Sequence, residues 1–443
     1  MSDPSGAAPR PTLSVVDGVL ITVGIVIGIG IFKTPSLVAS GVTSEWAFIG
    51  VWLLGGIVTL VGALCYAELA AAHPHAGGEY HFLSRAFGRS LAVLFGWARG
   101  TVIQTGAIAA VAFVYGDYAQ VLLPLGPFGG ALHAGLAIAV FTALNYVGSL
   151  ESKRAQIILE TLTLATLAIV VLVGVLSGAK APPPAAPSAG SGAIGMAMIF
   201  VLLTYGGWNE AAYLSAEMKD PQRNMVRVLV LATLAVTAIY VAVNLAFLSV
   251  FGLEGLRASQ AVGADMMRLA AGDTGAILLS LCVVAAALST LNATIFTGAR
   301  VYYAMGKDLP LLPRLGLWDP RGHNPANAIL LQGVIALALV AFGAATRGGF
   351  QAMVDYTAPV FWFFLLMVGA AVVVLRRREP DRALPFRVPL YPLTPALFCL
   401  TCLYMLYSSV AYTGTGALVG IAVVLAGLPL LLMNRVPREV PAE

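Results

Sequence analysis

Two short glycine-interrupted runs offer polar chemistry without needing a charged side chain. The first reads Gly24-Ile25-Val26-Ile27-Gly28-Ile29-Gly30-Ile31-Phe32; the second reads Leu203-Thr204-Tyr205-Gly206-Gly207-Trp208-Asn209. Both lie in strongly apolar surroundings. Glycine frees the backbone to leave a helix. In hydrocarbon an unpaired N–H or C=O costs several kcal/mol, so a break survives only beside a cavity or inside protein. A half-helix that restarts near Gly30 presents free N–H groups, which suit a carboxylate. Carbonyls released near Ile27, and near Leu203 to Tyr205, suit an ammonium group. One site offering both complements a zwitterion. Gly24 and Gly28 alone also make a GxxxG helix-packing face; the second run, in a corresponding place, favours the break. A dinucleotide loop is excluded, because no strand precedes these glycines.

Other polar residues at membrane depth are functional candidates by default. Arg99 and Glu160 fall in one third of the membrane and are candidates for a coupling pair, with a structural ion pair as the alternative. Glu68, near a span end, reads as a packing group rather than a transport group. Glu210 follows the second break; facing the pathway, it would favour a cation. Lys33, just past the first break, reads as snorkelling outward. Ser289 and Thr290 carry hydroxyls that suit a hard cation such as sodium, or back-bond to their own helix. Gln104 is a candidate pocket wall. His73, His75 and His81 beside Glu79 offer metal-ligand types, but Pro74, Gly77 and Gly78 make this segment a loop, and a bound metal is not the expectation. The four cysteines, Cys65, Cys282, Cys399 and Cys402, all sit in apolar runs and read as free thiols. No Ser/His/Asp arrangement or phosphate loop stands out, so no covalent catalysis and no bound cofactor are expected.

The elements that must position these groups follow from composition. The chain has 443 residues, 59% hydrophobic and 10% charged, with a mean hydropathy of +0.88. Soluble domains carry roughly 25% charged residues, so lipid wets most of this surface. Spans of about 20 apolar residues are expected at 13–40, 45–71, 90–123, 130–148, 155–178, 192–216, 226–251, 273–304, 326–346, 350–375, 391–412 and 414–434. That is an all-α membrane protein of twelve transmembrane helices, with no cleavable leader. Arg85, Arg89, Lys153, Arg154, Lys219, Arg223, Arg227, Lys307, Arg314, Arg321, Arg376, Arg377, Arg378, Arg382 and Arg387 share one set of loops, and the termini add Arg10, Arg435 and Arg438. The opposite loops hold only Lys180, Arg257, Arg268 and Arg347. The positive-inside rule then places both termini in the cytoplasm of a plasma or bacterial inner membrane. The net charge of +4 follows from this topology and gives no ground for a nucleic-acid partner. The organisation expected is a tail (1–12), a first five-helix unit (13–178), an external linker (179–191), a second five-helix unit (192–375), a basic loop with two further helices (376–434) and a second tail (435–443). The interrupted spans are the first of each five. Paired interruptions of this kind point to a transporter site at an inverted-repeat interface.

At these residues the chain resembles the amino acid–polyamine–organocation superfamily, and most closely its L-type amino acid permease branch. The likeness rests on Gly28-Ile29-Gly30-Ile31-Phe32, then Cys65-Tyr66-Ala67-Glu68 with Gly77-Gly78-Glu79-Tyr80. It continues through Tyr205-Gly206-Gly207-Trp208-Asn209, Glu217 to Asn224, Asn292 to Tyr303, and Arg376 to Pro389. It implies a five-plus-five inverted repeat of the leucine-transporter type with two C-terminal helices outside it. It further implies alternating access and a small-molecule amino acid bound at Ile27, Gly28, Ile29, Gly30, Ile31, Gln104, Leu203, Thr204, Tyr205, Gly206, Gly207 and Trp208.

Departures from the family pattern bear on specificity. Ile29 stands where many relatives have a small polar residue. Leu203 stands where many have an aromatic gate, leaving Tyr205 or Trp208 to close the site. Thr163 stands where many carry a lysine that replaces sodium, which leaves sodium coupling, proton coupling and exchange open. The loop Pro124 to Leu132 has no cysteine, so no disulfide-linked heavy subunit is expected. Neutral L-amino acids are the first expectation for cargo. Cationic amino acids or polyamines are the second. A membrane sensor without flux is the reading from another class.

Overall fold

A computed structural model describes residues 13–433 apart from Ala76, 148–152, 177, 179, 182–189, 217, 309–311, 320–323, 347 and 413–414. Within helices it describes the backbone alone at 153–157, 159, 160, 213, 216, 304, 307 and 308. The expected linker, both tails and Arg347 therefore lie largely or wholly outside the described residues.

Chain order explains how the two glycine runs come to face each other. Helix α1 (Val15–Val26) starts at a capping box in which Ser14 and Asp17 bond reciprocally. It stops at Ile27, and Gly28 is extended (φ −92°, ψ −171°). A 3₁₀ turn (Ile29–Phe32) and α2 (Thr34–Gly41) resume the path. Helix α3 (Glu45–Ala72) follows, then the short α4 (Gly78–Phe87). Helices α5 (Arg89–Ala98) and α6 (Thr105–Leu122) form one span through a π-helical turn, Arg99–Gln104. Such turns widen a helix locally and recur at functional sites. Helices α7 (Gly129–Val147) and α8 (Lys153–Leu176) complete the first half.

In the second half α9 (Ile194–Thr204) ends at the second glycine run, where Gly207 takes φ +103°. A 3₁₀ stretch, Trp208–Ala216, continues it. Then come α10 (Pro221–Ala258), bent at Gly252, and α11 (Val262–Asp308), bent at Ala271 and Gly272. The segment between these spans is therefore largely helical. Helices α12 (Ala326–Ala345), α13 (Phe350–Arg378), α14 (Leu393–Ala411), α15 (Thr415–Leu425) and α16 (Leu428–Met433) end the described chain.

Among the described residues, eight helices are long and apolar enough to cross a bilayer, and four shorter apolar ones accompany them. The shorter set includes α1 and α9, the two that end at glycine runs. This is a multi-pass, all-helical membrane protein. Exposed leucines such as Leu136, Leu172, Leu234 and Leu400 cover its outer face, as a lipid-facing surface requires.

Candidate functional site

The two breaks meet. Tyr240, fully buried on α10, places its hydroxyl 2.8 Å from the Val26 carbonyl oxygen and 2.9 Å from that of Thr204. Thr204 Oγ1 lies 2.8 Å from Thr34 Oγ1, and Thr34 Oγ1 lies 3.0 Å from the Gly30 carbonyl oxygen. Beyond the breaks, the Lys219 N–H donates to the Leu13 carbonyl at 3.0 Å. The first and second runs thus form one structural unit.

Around that unit lies a cavity of about 920 Å³. Its walls include Ile27, Gly28, Ile29 and Gly30 from the first break, and Leu203, Thr204, Gly206 and Gly207 from the second. Opposite stand Arg99 and Gln104 of the π turn, Thr163 of α8, Ser289 and Thr290 of α11, and Phe361 and Phe364 of α13. A Cβ built on Gly28 would meet no atom within 4 Å, so this glycine borders open space. The first residues of a helical turn have N–H groups with no partner inside the helix. Here those are Ile29 and Gly30, both in the cavity wall.

Three expected wall residues are elsewhere. Ile31 is fully buried in the core. Tyr205 turns its hydroxyl to the Trp52 carbonyl at 3.0 Å and packs on Tyr240. Trp208 lies edge-on to Tyr66 (4.8 Å between centroids) and reaches Phe398. The reason is local geometry: Gly206 and Gly207 present backbone to the cavity, and the bulky residues flanking them point into the helix packing. Aromatic walls come instead from Phe361, Trp362 and Phe364 of α13. The freed carbonyls also differ from expectation. Leu203 O accepts from the Gly206 N–H at 2.9 Å, and Val26 O from the Gly28 N–H at 2.8 Å. Val26 O, which also accepts from Tyr240, has both lone pairs engaged, whereas Leu203 O keeps a second one.

Two ionic clusters bound the site. At one end, Arg99 Nη2 donates to Glu210 at 2.7 Å and Nη1 to Glu79 at 3.1 Å. Glu79, from α4, also accepts from Tyr66 at 2.6 Å and from Asn209 at 3.0 Å. Burial pushes the Glu79 carboxyl upward, and Arg99 opposes it. Arg99 therefore joins Glu79 and Glu210; the side chain of Glu160, its expected partner, lies outside the described residues. At the other end Lys33 does not snorkel outward. It is buried, with Nζ 2.8 Å from Asp117 and 3.3 Å from the Gln260 carbonyl oxygen. Lys33 sits at the junction of the 3₁₀ turn and α2, and from there its side chain reaches Asp117 of α6. Tyr118 seals the same end, donating to Phe32 O at 3.1 Å and accepting from the Gly263 N–H at 3.3 Å. Arg99 and Asp117 are about 27 Å apart along one helix at 1.5 Å per residue.

Side chains toward the Arg99 end of the cavity, such as Thr297 and Glu210, are solvent-accessible, whereas Ile29, Thr34 and Thr204 near the breaks are buried. Thr290 back-bonds to Ala286 O at 3.0 Å while lining the cavity beside Ser289. Gln104 donates to Thr294 O at 3.1 Å. Glu68 is a packing group: it takes a two-pronged contact from Arg376 at 2.6 and 2.5 Å. In the histidine loop, His75 stacks on His81 with centroids 4.2 Å apart.

The amino acid permease family model matches residues 13–428. The chain belongs to that family. Among curated relatives, the human cystine/glutamate transporter is 26% identical over 95% of this chain and 85% of its own length. The mouse large neutral amino acids transporter small subunit 2 is 28% identical over 97% of this chain and 82% of its own. The mouse b(0,+)-type amino acid transporter 1 is 27% identical over 90% and 82% respectively. Amino acid transport across a membrane is the function this membership carries, and the sensor reading is not favoured.

Sequence reasoning missed Tyr240, Asp117, Thr34 and the aromatic wall of α13. The run Phe361-Trp362-Phe363-Phe364 was a usable signal, being dense in rings for one turn of a span. A single tyrosine in the middle of an apolar run gave none.

Proposed function

We propose that this permease carries neutral L-amino acids by alternating access, with the backbone of the two breaks as its recognition surface. The α-carboxylate sits on the N–H groups of Ile29 and Gly30. The ammonium sits against carbonyls at Ile27 and Leu203. The cargo side chain extends toward Gln104, Ser289, Phe361 and Phe364. The observation that carries this reading is that both breaks border one cavity, with open space at Gly28.

Charge argues for neutral cargo. Glu210, the acidic group that favoured a cation, is already engaged by Arg99. A cationic substrate would have to displace that guanidinium.

The reading includes twelve spans: the eight long helices, the four shorter apolar ones, and the interrupted helices as the first of two units of five. Basic loops at one end support both termini on the cytoplasmic side. With that orientation, the Lys33–Asp117 and Tyr118 contacts close the external end, and the accessible Arg99 end faces the cytoplasm. Ser289, Thr290 and Thr163 are the candidate coupling residues, and no covalently attached heavy subunit is required.

Counterflow in proteoliposomes, across a panel of neutral, cationic and anionic amino acids with and without sodium, tests this. Neutral amino acids should exchange fastest. Preferential flux of arginine or diamines would overturn the specificity, and the sodium arms report the coupling. Replacing Glu210→Gln should leave neutral exchange in place; under a cationic reading it would abolish uptake.

A further inference from the structure

The basic loop between α13 and α14 is strapped down by a single buried carboxylate. Glu68, at the end of α3, accepts from Arg376 and also from the Val388 N–H at 2.6 Å. One carboxylate therefore brings the end of α13 and the end of the loop together. Arg376 also stacks its guanidinium 3.9 Å from the centroid of Tyr391. Arg382 reaches back to the Ala72 carbonyl at 2.6 Å. These contacts fold the loop onto the end of the helix bundle, and they place Arg377, beside Arg376, near Arg387, beside Val388.

The strap consumes Arg376 and Arg382 but leaves other cations outside it. Arg377, Arg378 and Arg387 are exposed, and among the described residues none has an ion-pair partner. Next to them, Leu390 is 75% exposed and Leu393 64% exposed, with Leu390 at φ +53°. Helix α14 enters the bilayer at Leu393, so this patch lies at the height of the lipid headgroups. Arginines with protruding leucines match an anionic headgroup above its acyl chains: phosphate against guanidinium, hydrocarbon against leucine.

We propose that Arg377, Arg378 and Arg387, with Leu390 and Leu393, form a binding site for the phosphate headgroup of an anionic phospholipid. The lipid staples the loop from outside as Glu68 does from within. Each basic residue near an anionic surface is worth about fivefold in partition, so losing all three weakens binding on the order of a hundredfold.

The test uses the full chain in nanodiscs of phosphatidylcholine, with and without phosphatidylglycerol. Thermal midpoint and retained lipid by native mass spectrometry are the readouts. Wild type should unfold at higher temperature with phosphatidylglycerol and retain it selectively, and added salt should erase the shift. Inorganic phosphate in phosphatidylcholine discs should produce no shift; a shift of equal size would identify a free-phosphate site and overturn the lipid assignment. The R377Q/R378Q/R387Q variant should lose both shift and retention, whereas R377K/R378K/R387K should keep most of each. R223Q/R227Q, which removes exposed charge at the same end, should match wild type. Equal midpoints in both lipids, or an equal loss in R223Q/R227Q, would overturn the proposal. The salt titration on wild type stands even if the glutamine variant does not fold.

Discussion

The Tyr240 hydroxyl lies 2.8 Å from the Val26 carbonyl, at the last turn before the first break. The same oxygen is 2.9 Å from the Thr204 carbonyl at the second. A phenol has one proton, so two carbonyls of two broken helices share a single donor. Replacing Tyr240→Phe removes it and leaves both oxygens buried with one partner fewer. The expected loss is about 1–3 kcal/mol, seen as a lower thermal midpoint in detergent. Substrate affinity should fall as well, because the breaks are no longer held in register. An unchanged midpoint together with unchanged affinity would show that the tyrosine only fills space.

Gly28 separates a blocked site from a damaged fold. Its φ of −92° and ψ of −171° suit any residue, and an added Cβ meets nothing within 4 Å. Gly28→Ala should therefore fold, with a stability change of about 1 kcal/mol or less. Gly28→Leu should fold too, yet fill the space between the N–H groups of Ile29 and Gly30 and the cavity. Flux should fall by about tenfold or more for leucine, the equivalent of about 1.4 kcal/mol in binding, with a smaller loss for alanine. Wild-type exchange in Gly28→Leu would move the substrate away from the first break. Gly207 is the contrasting control. Its φ of +103° and the Ile25 side chain 3.0 Å from a built Cβ mean that Gly207→Ala should lose stability first.

These residues also show what a single sequence reveals. The breaks were legible because glycine in an apolar span has few explanations, and their pairing in corresponding spans removed most of those. Positions within the breaks were less legible: glycine marks where backbone faces the cavity, and it also decides that Tyr205 and Trp208 point away. Arg99 was recognisable as a buried charge at depth. Its partners were not, because Glu79 lies in a loop helix and Glu210 beyond the second break, and only the fold brings three elements to one guanidinium. Lys33 was misread for a related reason. Snorkelling is the default for a lone lysine, and Asp117, 84 positions away, gave no sign of being its partner.

The Lys33–Asp117 pair makes a prediction about the closed end. Both groups are largely withdrawn from solvent, with side chains 11% and 30% exposed. Removing one partner of a buried pair leaves an uncompensated charge and typically costs about 3–5 kcal/mol, whereas replacing both with apolar groups can be near neutral. Partial exposure of Asp117 reduces the first figure here. Lys33→Met and Asp117→Leu should each lower the thermal midpoint, and the double variant should recover part of the loss. If this pair holds one end of the cavity shut, the single variants should also admit a membrane-impermeant thiol reagent to a cysteine placed at Ala107 from that side. Strictly additive losses in the double-mutant cycle would show that the two residues do not interact in solution.

The histidine loop next to Glu79 sets an acid limit on stability. Burial, with Arg382 as the next cause, pushes His73 down to about 4; burial, then His75 and Arg85, does the same for His81. Both groups ordinarily titrate near 6.5. Between those values the unfolded chain binds more protons than the folded one, so stability falls with falling pH across that window and is level above it. Glu379, held below its usual value by its hydrogen bond from Arg85, adds a loss only below the ordinary glutamate value of 4.5. The two effects therefore occur in sequence as acid is added. Thermal midpoints should start to fall below about pH 6.5 in wild type and should stay flatter in H73Q/H81Q until Glu379 titrates. Midpoints level from neutrality down to pH 4.5 in wild type, or an identical slope in the double variant, would remove the histidines from this role. Because α4 carries both His81 and Glu79, the same acid step should loosen the hold on Arg99. Exchange should therefore decline over the same pH range as the midpoint, and should decline less in the double variant.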